Sequence, residues 1–453
     1  MTGRDARSGI ARALRTVGAG HLAAWSALPR PVRVLIAARS VNRLGAATLP
    51  FLAVVLTGQM GASVAAAGAV VALFGAATIP SRLLGGRLAD AVGRRTAIVT
   101  GLVLTAVCQL ALAAAPDLRT AAVAAVLLGL SFELYEPASQ ALVADLVEGD
   151  GDRVAAYGML AACLAAAGVV AGVLATAVGG VDLRLLFVAD AASCLACAAL
   201  VRLGLPAPAA GPRGSADRAA DSRTRSGAAD GGAMADDSAA ESPWRDPVLL
   251  GMLASGTGFA ILYLQLDVLL PLTLAARGTE PSRAGLLFAL SALVVVLGQP
   301  LLRSGPLSRL RPGPAMALGF ALLGTGFAVT GSAVTGSAVT GSAGGPLGLA
   351  AAAVVWSVGD LLLLGRAPAL VVALAPVASR ARYLSAYGVS WGIAAMVGPL
   401  LGTQLLARIG VVGTWVALGL GGVALALVQP LVVRRVAARS IGRRAGRSAD
   451  QAG

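Results

Sequence analysis

The chain has 453 residues, 57% hydrophobic, 13% charged and 4% aromatic, with a mean hydropathy of +0.80. A soluble domain carries about 25% charged residues. Half that share excludes an ordinary water-soluble enzyme, and the abundance of Ala, Val, Leu and Gly excludes a disordered or collagen-like chain. The formal charge of +14 rests on 36 basic residues, all arginine. The absence of lysine beside so much Ala, Gly and Arg reflects coding bias and carries no mechanism.

Residues 1–32 form a basic N-terminal tail. They lack the apolar core of a cleavable signal peptide. Ile10, Leu14 and Val17 share one helical face, the pattern of an interfacial helix; a plain topology-setting tail is the competing reading. Twelve apolar segments follow, near 33–57, 64–84, 96–115, 120–143, 154–178, 184–203, 248–275, 284–302, 314–333, 347–374, 383–406 and 411–433. Each matches one bilayer crossing of about 20 residues. Helices are expected, because a crossing helix satisfies its backbone polar groups internally. Residues 204–246 break the pattern with Pro, Gly, Ser, Asp and Arg, the composition of a disordered linker. The chain therefore divides into a half at 33–203, a linker, a half at 247–433 and a basic tail at 434–453.

Arginine placement predicts the topology. With both termini inside, 27 arginines fall on the inner side and five (Arg119, Arg184, Arg277, Arg283 and Arg408) on the outer side. That asymmetry is the positive-inside pattern. A multi-pass protein of the cytoplasmic membrane is expected, its basic tails touching an anionic inner leaflet. The positive charge reports orientation, so no nucleic-acid partner is expected.

The two halves repeat. A shift of 230 residues carries Ala156-Tyr157-Gly158 onto Ala386-Tyr387-Gly388, Gly129 onto Gly359, Gly168 onto Gly398 and Gly172 onto Gly402. Repeated six-helix halves are a transporter architecture with the binding site between them. The shorter AVTGS repeat, Ala328–Ser332 through Ala338–Ser342, reads as a local duplication in an exposed loop.

Single residues prune the chemistry. The one histidine, His21, lies in the polar tail, so a histidine relay in the apolar body is excluded. Cys194-x-x-Cys197 has redox or zinc spacing, but no second pair follows, and packing within a helix is the stronger reading. No GxxxxGK[ST] loop is present. Neither an enzyme nor a cofactor or metal is expected.

At the end of the second segment the chain reads Gly85-Gly86-Arg87-Leu88-Ala89-Asp90-Ala91-Val92-Gly93-Arg94-Arg95. Its glycines allow a tight reversal, Asp90 can face a helix N-terminus and the arginines anchor the turn. This run resembles the signature between the second and third helices of the major facilitator superfamily, with Ala91 where a basic residue is usual. The resemblance covers about 33 to 433. It implies an all-α membrane fold of twelve helices in two pseudo-symmetric halves. It also implies a conformational lock built on Gly86, Asp90, Gly93, Arg94 and Arg95, with Asp145 and Arg153 as partners. The run Gly398-Pro399-Leu400-Leu401-Gly402 resembles the Gly-Pro motif of the drug:proton antiporter branch. In those proteins the motif belongs to the fifth segment, and here the fifth carries Gly168 and Gly172 without the proline. Helix packing is the alternative role for these glycines.

A charge at mid-membrane costs roughly 2.5–3.5 kcal/mol on insertion scales, so those retained are functional candidates. They are Arg39, Arg43, Glu133, Glu136, Asp190, Asp267, Asp360 and Arg366. The resemblance assigns the cavity lining to segments one, four, seven and ten, which hold all of them except Asp190. Glu133 and Glu136, three apart, share a helix face and could hold a proton between them; pairing with Arg39 or Arg43 is the alternative. Asn42 adds a polar group to the same cavity. The 230 shift brings Glu136 onto Arg366, so a pair between them could close an inner gate and break on opening. The resemblance then implies a monomeric proton-coupled exporter of small organic molecules, working by alternating access. A proton-coupled uptake symporter is the alternative, and a non-transporting membrane sensor or scaffold is the reading from another class.

Overall fold

The computed structural model describes residues 25–26, 28–46, 48–147, 150–205, 243–304, 310–335, 345–363, 366–375 and 380–450. The N-terminal tail with Ile10, Leu14, Val17 and His21, most of the linker, and the AVTGS repeat beyond Thr335 lie outside these residues. So do the side chains of Gly86, Asp90, Asp145 and Arg153.

Apolar runs become helices throughout. In order they are α1 (Arg30–Gly45), α2 (Thr48–Gly58), α3 (Val64–Val92), α4 (Arg94–Ala114), α5 (Leu118–Phe132), α6 (Tyr135–Leu146), α7 (Asp150–Gly179) and α8 (Arg184–Gly204) in the first half. The second half holds α9 (Pro247–Ala276), α10 (Ala284–Ser304), α11 (Pro312–Thr335), α12 (Pro346–Leu363), α13 (Arg366–Leu374) and α14 (Arg380–Asp450). Among the described residues, 11 helical stretches are long and apolar enough to cross a membrane. The last, Ala386–Arg439, has 54 residues. At a rise of 1.5 Å per residue it would extend about 80 Å, far beyond a hydrocarbon core of about 30 Å. It reverses at Gly410 (φ 69°, ψ −175°), so it supplies two crossings, and the total is the expected twelve.

Among the described residues two crossings are interrupted: the first at Ala46 (φ −68°, ψ 69°), before α2 begins at Thr48, and the fourth at Glu133 and Leu134, between Phe132 and Tyr135. The fourth-crossing break is seated in glycines: a Cβ on Gly85 would lie 2.4 Å from the Leu134 carbonyl oxygen, and one on Gly101 would lie 3.1 Å from Leu134 Cβ.

Two regions differ from expectation. Residues 243–246, placed in the linker by composition, form a short 3-10 turn ending at the buried Asp246. Asp246 caps α9 by accepting from the Val248 amide at 3.0 Å and accepts from the Tyr383 hydroxyl at 3.1 Å. A carboxylate with a cap and a tyrosine to satisfy it folds onto the bundle whatever its neighbours' composition. The C-terminal tail continues the last helix to Asp450.

Among the described residues the halves share an apolar core toward the end away from the Gly93 turn. A single apolar core joins Phe51, Leu52, Leu128 and Phe187 of the first half with Leu266, Leu269, Phe327 and Trp415 of the second. Toward the Gly93 turn the halves keep separate cores, one around Ile36, Ile98 and Val201, the other around Leu249, Val371 and Tyr383. Glycines make the shared end tight. Gly172 on α7 faces Gly285 on α10, and a Cβ on either would sit 2.3 Å from the other's carbonyl oxygen. Beside them the Thr176 hydroxyl donates across to the Ser282 carbonyl at 2.9 Å. On the other flank, Gly68 and Gly75 of α3 lie against Thr403 and Ala395 of α14.

The turn of the signature run is explicit. α3 ends at Val92, Gly93 adopts φ 84°, ψ 150°, and α4 begins at Arg94. That backbone region is open essentially only to glycine. Gly93→Ala should therefore destabilise the fold by about 1–3 kcal/mol, read as a lowered thermal midpoint of the purified protein. Arg95 donates to the Arg202 carbonyl at the end of α8, tying the turn to the sixth crossing of the same half.

Candidate functional site

A cavity of about 360 Å³ opens in the first half, between the first, fourth, fifth and sixth crossings. Arg39, Asn42, Arg43, Glu133 and Glu136 all line it. Asp190, set apart from the cavity-lining segments, lines it too. The α1–α2 break explains this: without a side chain at Gly45, α1 lies directly on α8, and a Cβ there would be 2.7 Å from Asp190 Cα.

The pairing differs from the shared-proton reading of the two glutamates. The crossing breaks between them, so they do not act as neighbours on one regular helical face. Glu136 pairs with Arg39 at 2.6 Å, and Glu133 with Arg82 of α3 at 3.0 Å. The Arg39–Glu136 pair is well buried, with side-chain exposures of 10% and 23%. The Arg39 guanidinium also sits 5.1 Å from the centre of the Tyr135 ring, a cation–π distance. From Tyr135 the polar contacts continue. Its hydroxyl donates to Asn42 Oδ1 at 3.1 Å, and Asn42 Nδ2 contacts Cys194 Sγ at 3.1 Å.

The proposed Glu136–Arg366 pair is not formed here. Glu136 is taken up by Arg39, and Arg366 donates to the Leu362 carbonyl of its own crossing at 2.7 Å. This arrangement accompanies halves that are separate at the end where those residues lie.

Arg43 is the exposed cation of the cavity. Its charge acts on Asp190 in its own half and on Asp267 and Tyr263 across the divide. The second half holds a cluster of aromatic rings: Tyr263 and Trp391 have centroids 5.6 Å apart, and Phe259 lies 6.0 Å from each. Asp360, on α12, is buried, and among the described residues its Oδ1 has no hydrogen-bond partner. Asp267 and Asp360 stand outside the 360 Å³ cavity. The cavity itself is thus lined by cations and carboxylates of the first half.

The sequence-read glycines divide in role. Gly172 sits at the contact between halves, and Gly168 lies near Ala292 and Arg43. Gly398, Pro399 and Gly402 instead pack within the second half. Gln265 of α9 donates to the Gly398 carbonyl at 2.9 Å, a Cβ on Gly402 would fall 2.0 Å from Gln265 Oε1, and the Pro399 carbonyl accepts from Thr403 at 2.8 Å. Arg82, Gly68, Gly75, Gly285, Thr48 and Gln109 were missed; each acts through a partner on another helix, which periodicity along one helix does not reveal. Among the described residues no cluster suited to a metal ion occurs.

Twelve apolar helices in two repeated halves that share one apolar core are the architecture of a membrane transporter. Residues 35–358 match the family model of the Major Facilitator Superfamily, and the chain belongs to that family of multi-pass membrane transporters. An uncharacterised transporter of this type from Bacillus subtilis (strain 168), YqjV, is 36% identical over 101 residues, 22% of this chain and 25% of that protein; the chain thus matches a quarter of this relative's length. Among solved structures, a POT family transporter bound to a thioalcohol-conjugated peptide superposes with a TM-score of 0.71 at 14% identity, covering 91% of this chain and 99% of that one. The peptide transporter POT in complex with sulfate gives 0.69 at 16% identity, covering 92% and 98%. At such identities these structures share the fold.

Proposed function

We propose that this chain moves small organic molecules across the cytoplasmic membrane by proton-coupled alternating access, in the direction of export, with the tails and the Gly93 turn inside. The observation that carries the reading is the cavity of the first half, which holds the exposed Arg43, the Arg39–Glu136 pair and Glu133 at membrane depth; the second half adds an aromatic cluster of Phe259, Tyr263 and Trp391. Retained intramembrane charges mark ion and substrate paths, and aromatic rings beside a cation suit organic solutes with both apolar and ionised parts. In this orientation an exported substrate loads from the inside, and the separate cores of the two halves toward the Gly93 turn support that route. Alternation requires the opposite end to part and the Gly93 end to close, for which Asp90, Arg94, Asp145 and Arg153 are the proposed lock and Glu136–Arg366 the proposed gate.

Uptake is the second reading, favoured by the proton-dependent oligopeptide transporters among the fold relatives. Everted vesicles separate the two. Export by antiport predicts that an acid-inside gradient drives accumulation of a substrate chosen from a binding screen. Symport predicts accumulation in right-side-out vesicles with acid outside. Asp267→Asn and Asp360→Asn should each lower gradient-driven accumulation at least tenfold while leaving exchange without a gradient measurable. Unaltered proton dependence in both would remove these two aspartates from the coupling path.

A further inference from the structure

Thr48, Gln109 and Asp190 come from three different crossings and touch in a closed triangle. Thr48 Oγ1 lies 2.8 Å from Gln109 Oε1 and 2.7 Å from Asp190 Oδ2, and Gln109 Nε2 lies 2.7 Å from that same Oδ2. All three side chains are buried, Gln109 fully and the others to within 3%. Each edge has a hydrogen-bond length, so three edges ask for three protons. The Thr48 hydroxyl supplies one and the Gln109 amide supplies one. Exchanging the amide's oxygen and nitrogen changes nothing in this count. Two oxygens then face each other between Gln109 and Asp190 instead of between Thr48 and a neighbour. With an ionised Asp190, the single Thr48 proton must either be split between that hydroxyl's two edges or leave one of them as two facing lone pairs, and either is costly in a buried site.

We propose that Asp190 carries a proton in this conformation, so that the Thr48–Gln109–Asp190 ring is a proton-binding site clasping the break of the first crossing. With the proton on Oδ2, the carboxyl donates to Thr48, Thr48 donates to Gln109, and Gln109 donates back to Oδ2. Every donor then has one acceptor around the ring. The charged groups nearby do not replace that proton. Arg39 and Arg43 of the first crossing share the cavity with Asp190, as do Glu133, Tyr135 and Glu136 of the fourth, and Arg39 is committed to Glu136. On α8 itself the Cys194 thiol reaches the other oxygen, Oδ1, at 3.8 Å, and the Ser193 hydroxyl lies close by, 2.8 Å from the Asp190 carbonyl oxygen. The fifth crossing lines the cavity with Leu164 and Ala165, and the third with Thr105.

Position gives the site its consequence. Thr48 is the first residue of α2, and the next turns, Phe51 to Leu56, belong to the core that joins the two halves. Ser193 of the same α8 turn donates to the Asn42 carbonyl at 3.2 Å just before the break. Protons therefore favour the conformation closed at that end, and losing the Asp190 proton loosens α2 from α8. The site deepens the proton-coupled reading and rests on it for its use in transport; its occupancy is testable with no substrate present.

The test is pH-titrated infrared difference spectroscopy on the purified full chain in lipid nanodiscs. Wild type should show a protonated-carboxyl C=O band at neutral pH that bleaches on alkalinisation. Asp190→Asn, an isosteric neutral replacement that can keep the ring, should lack that band. Thr48→Val, which removes one member and leaves the carboxyl, should shift it and move its bleaching to lower pH. A wild type without such a band overturns the proposal, as does a band that neither variant alters. If the band behaves as stated and vesicle transport ignores the proton gradient, the site stands and the coupling reading fails.

Discussion

Arg39→Met removes the cation that pairs with Glu136 at 2.6 Å inside the bundle and should cost about 3–5 kcal/mol of stability, the range for breaking one side of a buried ion pair. The cause lies more in the carboxylate than in the attraction lost, because a buried charge that loses its cation keeps its desolvation penalty. The same substitution removes the cation from the Tyr135 face. The double variant Arg39→Met with Glu136→Gln removes both charges and should recover most of the loss. Thermal midpoints of the three variants in one detergent provide the measurement. A single variant as stable as wild type would mean that the pair is open to water. A double variant no better than the single would mean that Arg39 acts through shape alone.

Gly172→Leu is expected to have the second large effect, and on conformation more than on stability. Its side chain would have to occupy space where the Gly285 carbonyl oxygen stands 2.3 Å from the ideal Cβ position. Backbone on the facing helix cannot rotate aside, so the halves must part at that end. Hydrogen–deuterium exchange reads the result: segments 168–180 and 280–290 should exchange faster than in wild type, while the Gly93 turn exchanges more slowly as that end closes. Gly402→Leu serves as the contrast. It collides with Gln265 inside the second half, so it should lower the melting temperature without the reciprocal change at the two ends.

Much of the fold is legible along the chain because crossing a bilayer depends on quantities that add up locally: length, hydropathy and arginine placement. The twelve crossings, the two halves and the signature turn follow from these. Pairing does not. Helices that are apolar all round carry little record of their rotation, so Glu133 could not be assigned to Arg82 rather than to Arg43. The break between Phe132 and Tyr135 has no proline at its centre; it is stabilised by Gly85 and Gly101 on other helices. Asp190 was separated from the cavity on the number of its crossing, and the break in the first crossing brought it back. Asp246 shows the converse: a residue in a linker-like stretch folds because a buried tyrosine waits for it. The repeat was the most informative signal, since one shift of register relates the glycines of the two halves.

The central claim is that two rigid halves rock about the cleft between them, closed in this structure at the end away from the Gly93 turn. Spin-label distance measurements test it directly, on a chain whose four native cysteines are replaced by alanine. One label pair, Val181→Cys with Leu347→Cys, spans the halves at the closed end, where both positions are highly exposed. The other, Val92→Cys with Leu310→Cys, spans them at the turn end, also at exposed positions. As the pH is varied, the account requires the two distances to change in opposite senses, one lengthening as the other shortens. Distances that stay fixed at both ends, or that lengthen together, would contradict it.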